Sequence, residues 1–361
     1  MQYHLVLTER CNLHCSYCGG TRHQVGLPLE PEYTLDDLEA FIGLDPEPVI
    51  GFYGGEPLLA MGFMYEVMDN ISAKAFTLQT NATHLAEIDD KHLHRLHSIL
   101  VSIDGPRNVT DACRGKGTYD LVLSNLRDIA DRGYEGDVVA RMAFSDHGDI
   151  IRDVTHLLSL ENPSFNHVHW QLDVFWSDLE TRHNLQGWLI NYDKGITKLI
   201  KDFGNAMKEG KIQGIVPFIS ILRTLITDET VRHIRCGAGR DSFAIMTSGD
   251  LHVCPVAPEL PYSRVGSIYT STPQEIMDSL PVGSPCDSCA DLRVCGGRCL
   301  YANKTMFWGR QWFDRVCEST RHLIRELETL VPLTHSLMID GVLPHDALDY
   351  PEINNGCEII P

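Results

Sequence analysis

Short apolar runs alternate with amphipathic segments over the first half of the chain. Period-two or continuous β-like runs fall at 3–8, 48–53, 76–80, 99–103, 138–144 and 167–174. Between them lie segments of helical spacing, such as the one started by Thr34 and running to Ile42, and another over 119–129. Repeated strand–helix units predict an α/β fold with a parallel sheet, open or curled toward a barrel. In such sheets the chemistry belongs at the C-terminal ends of the strands. Residues 175–235 read as mostly helical, clearest at 185–190 and 218–233, and form a bridge without a chemical motif. From 236 to 317 the helical period is lost, and a hairpin is signalled by strands at 242–247 and 251–254 around Ser248-Gly249-Asp250. An amphipathic helix follows at 319–330, then a proline-containing tail. The expected organisation is therefore 1–174, 175–235, 236–320 and 321–361.

Composition narrows the class. With 361 residues, 43% apolar and 22% charged, the chain can bury a core and is neither disordered nor of low complexity. Its net charge of −19 repels phosphate backbones and anionic lipid, so nucleic acid is not an expected partner. The acidity serves either solubility or attraction of a basic peptide. The longest uncharged apolar stretch, 214–222, is far short of the roughly 20 residues that span a bilayer, so no membrane crossing is expected. Glu9 and Arg10 follow the first β-like run too closely to leave room for a signal peptide's apolar region. A cytoplasmic location is expected, with thiols rather than disulfides.

The cysteines carry the sharpest information. Of twelve, Cys11, Cys15 and Cys18 lie at the start, and Cys236, Cys254, Cys286, Cys289, Cys295, Cys299 and Cys317 lie late, leaving Cys113 and Cys357 apart. Clustered thiolates point to iron–sulfur clusters or structural zinc. Three thiolates just after the first strand can hold a 4Fe–4S cubane with one iron free of protein ligands; the alternative is zinc completed by His4, His14 or His23.

Cys11-x3-Cys15-x2-Cys18, with Tyr17 before the third cysteine, resembles the signature of radical S-adenosylmethionine (SAM) enzymes. Gly54-Gly55-Glu56-Pro57 after the second strand is similar to the family's motif for the methionine amino group of SAM. Thr80-Asn81 ends the third strand, and Ser102-Ile-Asp-Gly-Pro106 ends the fourth. The resemblance implies SAM contacts from Tyr17, Gly54, Gly55, Glu56, Ser102 and Arg114, and an adenine contact from Leu172. Each residue also has a plain reading: turn glycines, a turn serine, a solvated arginine, a core leucine. Cys113, beside Arg114, is a candidate hydrogen donor or a small buried residue.

The late set, Cys236-x12-Gly249-x4-Cys254, then Cys286-x2-Cys289-x5-Cys295-x3-Cys299 and Cys317, resembles the seven-cysteine SPASM pattern. Together the two resemblances cover about residues 1–320 and imply a partial (β/α)6 barrel followed by a small cysteine-rich domain with a β-hairpin and helices. They imply SAM and three 4Fe–4S clusters as cofactors. One cluster binds SAM; Cys236, Cys254 and Cys299 hold the first auxiliary cluster; Cys286, Cys289, Cys295 and Cys317 hold the second. The alternative for the late set is a zinc ribbon. The first auxiliary set is one ligand short of four, so either Cys357 completes it or one iron stays open to a substrate thiolate.

What the family implies is reductive SAM cleavage to a 5′-deoxyadenosyl radical and oxidative modification of a peptide or protein, favouring a cross-link or thioether. The alternatives are a radical SAM enzyme on a small molecule and a non-catalytic iron–sulfur electron carrier. In related sulfatase-maturing enzymes an aspartate base directly follows the cysteine equivalent to Cys254; here Pro255 stands there, which argues against formylglycine formation. Expected partners are the peptide, an external electron donor and, since Cys11 lies close to the first residue, either a separate leader-peptide-binding protein or none.

Overall fold

The computed structural model describes residues 1–18, 26–174, 184–231, 233–351, 353 and 360–361. Six strands succeed one another as expected: β1 Gln2–Val6, β2 Val49–Tyr53, β3 Ala75–Thr80, β4 Leu96–Ser102, β5 Asp137–Phe144 and β6 His167–Leu172. All five pairings among them are parallel and in chain order, as right-handed strand–helix–strand repeats require. Three further strands, β7 Ser242–Ile245, β8 Asp250–His252 and β9 Arg264–Ser267, complete one nine-stranded sheet in the order β6-β5-β4-β3-β2-β1-β7-β8-β9.

One face of the sheet packs on helices. Phe52 stacks on Phe76 with centroids 5.8 Å apart, and Trp170 meets Phe218 edge-on while its Nε1 donates to Tyr192 Oη at 3.0 Å. The other face, carrying His4, Ser102, Arg141 and His169 by strand parity, is more polar. The chain start is fixed by an ion pair of the N-terminal ammonium with Asp45 at 2.7 Å, to which Tyr3 Oη also donates at 3.0 Å.

Beyond a helix at Val331–Ile339, where a proline-containing tail is expected, three elements differ from the sequence expectation, each for a physical reason. The hairpin after residue 236 extends the barrel sheet, because β7 pairs in parallel with β1 and covers what would otherwise be an exposed edge. Strand β9, four residues Arg-Val-Gly-Ser, carries too little apolar pattern to be read locally and is fixed by pairing with β8. The last long helix is Gly309–Glu328, beginning well before residue 319. Its first turns interleave charges with Trp312, Phe313 and Val316, the last two buried, and ion pairs Arg310–Asp314 and Arg315–Glu318, at 2.8 and 2.7 Å, support them. Cys317 therefore projects from a helix. The bridge contains helices Leu185–Lys208 and Val216–Thr227, and no described helix is long and apolar enough to cross a membrane.

Candidate functional site

The loop after β1 carries Cys11, Cys15 and Cys18, and its path is set by backbone contacts with the glycine motif after β2. Gly55 N donates to Thr8 O and Glu56 N to Arg10 O, both at 2.8 Å. A Cβ on Gly55 would stand 2.2 Å from Arg10 O, and one on Gly54, whose φ is +145°, 2.4 Å from Thr8 O. The paired glycines thus let the cysteine loop lie directly on the end of β2. Glu56 is fully buried, and its carboxylate accepts from Leu58 N at 3.0 Å, Thr80 Oγ1 at 2.7 Å and Asn81 N at 2.7 Å. Burial raises its pKa, and these three donors oppose the rise. Glu56 therefore clamps the end of β2 to the end of β3. Asn81 Nδ2 in turn reaches Asn12 Oδ1 at 2.8 Å and approaches Cys11 Sγ at 3.9 Å.

The other side of the loop is held by an aspartate that the sequence reading passed over within Ser102–Pro106. Asp104 is fully buried in its side chain and receives Arg114 bidentately, Nε at 2.8 Å and Nη2 at 2.9 Å. Tyr17 Oη donates to the same carboxylate at 2.7 Å, and Ala143 N at 2.9 Å. The Arg114 guanidinium lies 5.4 Å from the centre of the Tyr17 ring. Arg114 is thus tied by its Nε/Nη2 edge to Asp104, which leaves Nη1 as the group available to a ligand. Burial pushes the Cys15 thiol up to about 11, with Arg114 acting in the opposite direction. A thiolate at that depth calls for the positive charge of a metal.

The remaining expected residues lie around this frame. Ser102 ends β4 and pairs in register with Arg141 on β5, whose Nη1 donates to His169 Nδ1 at 2.5 Å and Nη2 to Gln171 Oε1 at 3.1 Å. Arg141, absent from the sequence reading, also interacts electrostatically with Cys299, linking the Ser102 row to the late cysteines. Leu172 is 2% exposed and shares the parity of Trp170, on the helix-packed face. Cys113 is 2% exposed, with Sγ 3.5 Å from Ser145 Oγ, and its carbonyl accepts from Ser16 N at 2.8 Å, directly under the cysteine loop. His4 is engaged with Ser242 Oγ at 3.1 Å, and burial pulls its pKa down to about 4; His23 lies outside the described residues.

The late cysteines fall into two groups. Cys286, Cys289, Cys295 and Cys317 line one cavity that opens to solvent, with Asp291, Arg298 and Arg321 in its wall. Three of them come from short helical turns at 286–295 and the fourth from the helix Gly309–Glu328. Cys236 and Cys299 interact with each other, and Tyr262 feels both Cys254 and Cys299. Burial pushes the Cys236 thiol up to about 12 and Cys295 to about 11. Among the described residues every cysteine is a free thiol, and no three His, Cys, Asp or Glu side chains converge on a single metal ion. A cubane, whose thiolates bind different irons, asks for a larger cage than zinc does. Cys357 lies outside the described residues.

A parallel strand–helix sheet with a three-cysteine loop and a glycine clamp at its C-terminal rim defines a radical SAM domain, and residues 5–153 match the profile of the Radical SAM superfamily. The chain therefore carries a radical SAM domain over residues 5–153, and its late cysteines keep a SPASM-like spacing. Mycofactocin maturase MftC of Mycolicibacterium smegmatis is 23% identical over 325 residues, covering 82% of this chain and 77% of that protein. Among solved structures, native anSMEcpe with bound AdoMet and Cp18Cys peptide superposes with a TM-score of 0.71 at 18% identity, covering 94% of this chain and 99% of that one. Streptococcus suis SuiB bound to precursor peptide SuiA gives a TM-score of 0.54 at 15% identity, covering 83% and 72% of the two chains. These superpositions establish the fold.

Proposed function

We propose that the chain oxidatively modifies a peptide or protein, forming a cross-link or thioether. When bound, SAM on a reduced cluster at Cys11, Cys15 and Cys18 supplies the 5′-deoxyadenosyl radical that removes hydrogen from an unactivated carbon. Auxiliary clusters on the two late cysteine groups supply the electron acceptors that oxidative chemistry needs and simple hydrogen return does not. The observation that carries this reading is the second cysteine group, four thiols around one cavity in the same chain as the SAM site. The names of the relatives agree with it: a maturase, a structure with a bound peptide and a structure with a precursor peptide. Pro255 offers no titratable side chain after Cys254, so the reading does not extend to formylglycine formation.

In this reading Gly54, Gly55 and Glu56 hold the amino end of SAM, Ser102 and Arg114 its ribose or carboxylate, Tyr17 borders the site, and Asp104 aims both Tyr17 and Arg114; Leu172, buried on the helix-packed face, is not given an adenine contact. An external one-electron donor and, for a leader-bearing substrate, a separate recognition protein complete the system. The test is anaerobic incubation of the reconstituted chain with SAM, dithionite and peptides encoded by short reading frames beside its gene. Loss of two hydrogens from a peptide, in step with 5′-deoxyadenosine, supports the proposal. Turnover that leaves every such peptide unchanged but converts a small metabolite overturns it.

Cys113 has a role to be tested in the same assay. Its thiol is next to Ser145, and its backbone carbonyl holds Ser16 of the cysteine loop, which makes it the candidate to return a hydrogen atom to a substrate radical. For an oxidative reaction no such donor is needed, so Cys113→Ala is expected to keep product yield within about twofold and to cost about 1 kcal/mol or less of stability. Loss of product with continued 5′-deoxyadenosine release, or inverted stereochemistry at the product carbon, would instead make Cys113 the donor of an epimerase.

A further inference from the structure

The cavity formed by Cys286, Cys289, Cys295 and Cys317 carries two guanidinium groups in its wall. They differ in reach. Arg298 is 5% exposed and interacts electrostatically with Cys286, Cys295 and Cys317, but also with Cys299 of the other group. Its charge therefore acts on both auxiliary sites. Arg321 acts on one. It lies four residues beyond Cys317 on the helix Gly309–Glu328, so helical periodicity turns it toward the same cavity. Its Nη2 stands 3.6 Å from Cys289 Sγ, and its Nε donates to Asp291 Oδ2 at 2.8 Å.

Asp291 is what fixes that geometry. Its carboxylate lies 3.8 Å from Cys289 Sγ, so once Cys289 gives up its proton to ligate iron, a carboxylate and a thiolate face each other. Arg321 is the group that answers both, one edge to the carboxylate and one N–H to the sulfur. The reduction potential of an iron–sulfur cluster rises with hydrogen bonds to its sulfurs and with positive charge beside it, because both favour the form carrying the extra electron. A planar guanidinium held by a carboxylate keeps one N–H aimed at the sulfur, which a lysine on a flexible stem does not.

We propose that Arg321, oriented by Asp291, raises the reduction potential of the cluster at Cys286, Cys289, Cys295 and Cys317. Arg298 acts on both sites and Arg141 on Cys299, whereas Arg321 acts on the second site. This inference rests on the assignment of those four cysteines to one cluster, and the experiment separates the two claims.

The measurement is a mediated redox titration of the full-length, iron-reconstituted chain, followed by electron paramagnetic resonance, with dithionite as the electron source. The signal lost in Cys286→Ala identifies the second auxiliary cluster. Arg321→Gln is expected to lower that cluster's reduced-to-oxidised ratio roughly tenfold at a fixed potential, a shift of 59 mV for one electron. Arg321→Lys is expected to give a smaller fall in the same direction, and the signals of the other clusters are expected to stay where they are. The Arg321 side chain is 37% exposed, so both variants are expected to fold, and the lysine variant carries the test if the glutamine variant binds less iron. Unchanged potential in iron-replete variants overturns the role of Arg321. If Cys286→Ala removes no iron and no signal, the cluster assignment itself fails.

Discussion

Replacing Cys11, Cys15 or Cys18 with alanine is expected to bring 5′-deoxyadenosine formation to background and to remove about four irons per chain, with the auxiliary signals retained. The three cysteines sit on a single loop after β1, whereas the late groups are carried by the β7–β8 hairpin region and the helices beyond it. Among the described residues the loop's support comes from elsewhere than the late cysteines: Thr8 and Arg10 rest on the glycine motif, Ser16 on Cys113 and Tyr17 on Asp104. Loss of iron should accordingly be local. Iron analysis with electron paramagnetic resonance checks it, and retained SAM cleavage in any one variant would remove the assignment of that residue.

Gly55→Val is expected to weaken SAM binding by at least about tenfold, or roughly 1.4 kcal/mol, and to lower the iron held by the N-terminal site. The reason is steric. A Cβ at position 55 would lie 2.2 Å from Arg10 O and 2.8 Å from Glu9 O, so the loop must move away from β2 and lose the two 2.8 Å backbone hydrogen bonds that seat it. Both are backbone atoms, and no rotamer change relieves the clash. Gly62→Ala is the control: a Cβ there meets nothing within 4 Å, and the glycine lies within the helix Met61–Asn70. That substitution is expected to leave SAM binding unchanged and to stabilise the chain by up to about 1 kcal/mol. Equilibrium dialysis with SAM on both proteins reads the contrast.

Local pattern carries much of this fold. The six barrel strands are short, apolar and separated by capped helices such as Leu35–Ile42, where Thr34 and Asp37 form a capping box, so their order could be read from the chain. The cysteine groups were legible for a different reason, since metal ligands must recur at spacings that a loop can close. What escaped the reading depends on distant partners. The pairing of β7 with β1 joins residues about 240 apart, and β9 has almost no pattern of its own. Asp104 has no signal of its own within Ser102–Pro106, and only its burial against Tyr17, Arg114 and Ala143 shows that it organises the site. The glycines of Gly54-Gly55 could be anticipated as a point of close approach, but the structure places the Thr8–Arg10 backbone, part of the cysteine loop itself, against them. Arg321 would have read as one more charge on an amphipathic helix; its value comes from Asp291 and Cys289, some thirty residues earlier.

The central claim, that the loop at Cys11, Cys15 and Cys18 runs SAM cleavage, is tested most directly by the wild-type chain. It is reconstituted anaerobically with iron and sulfide, supplied with SAM and dithionite, and assayed by mass spectrometry for 5′-deoxyadenosine and methionine. The account predicts that both appear in equal amounts, and only when reductant is present. Iron-replete protein that binds SAM and releases neither product under reduction would contradict it.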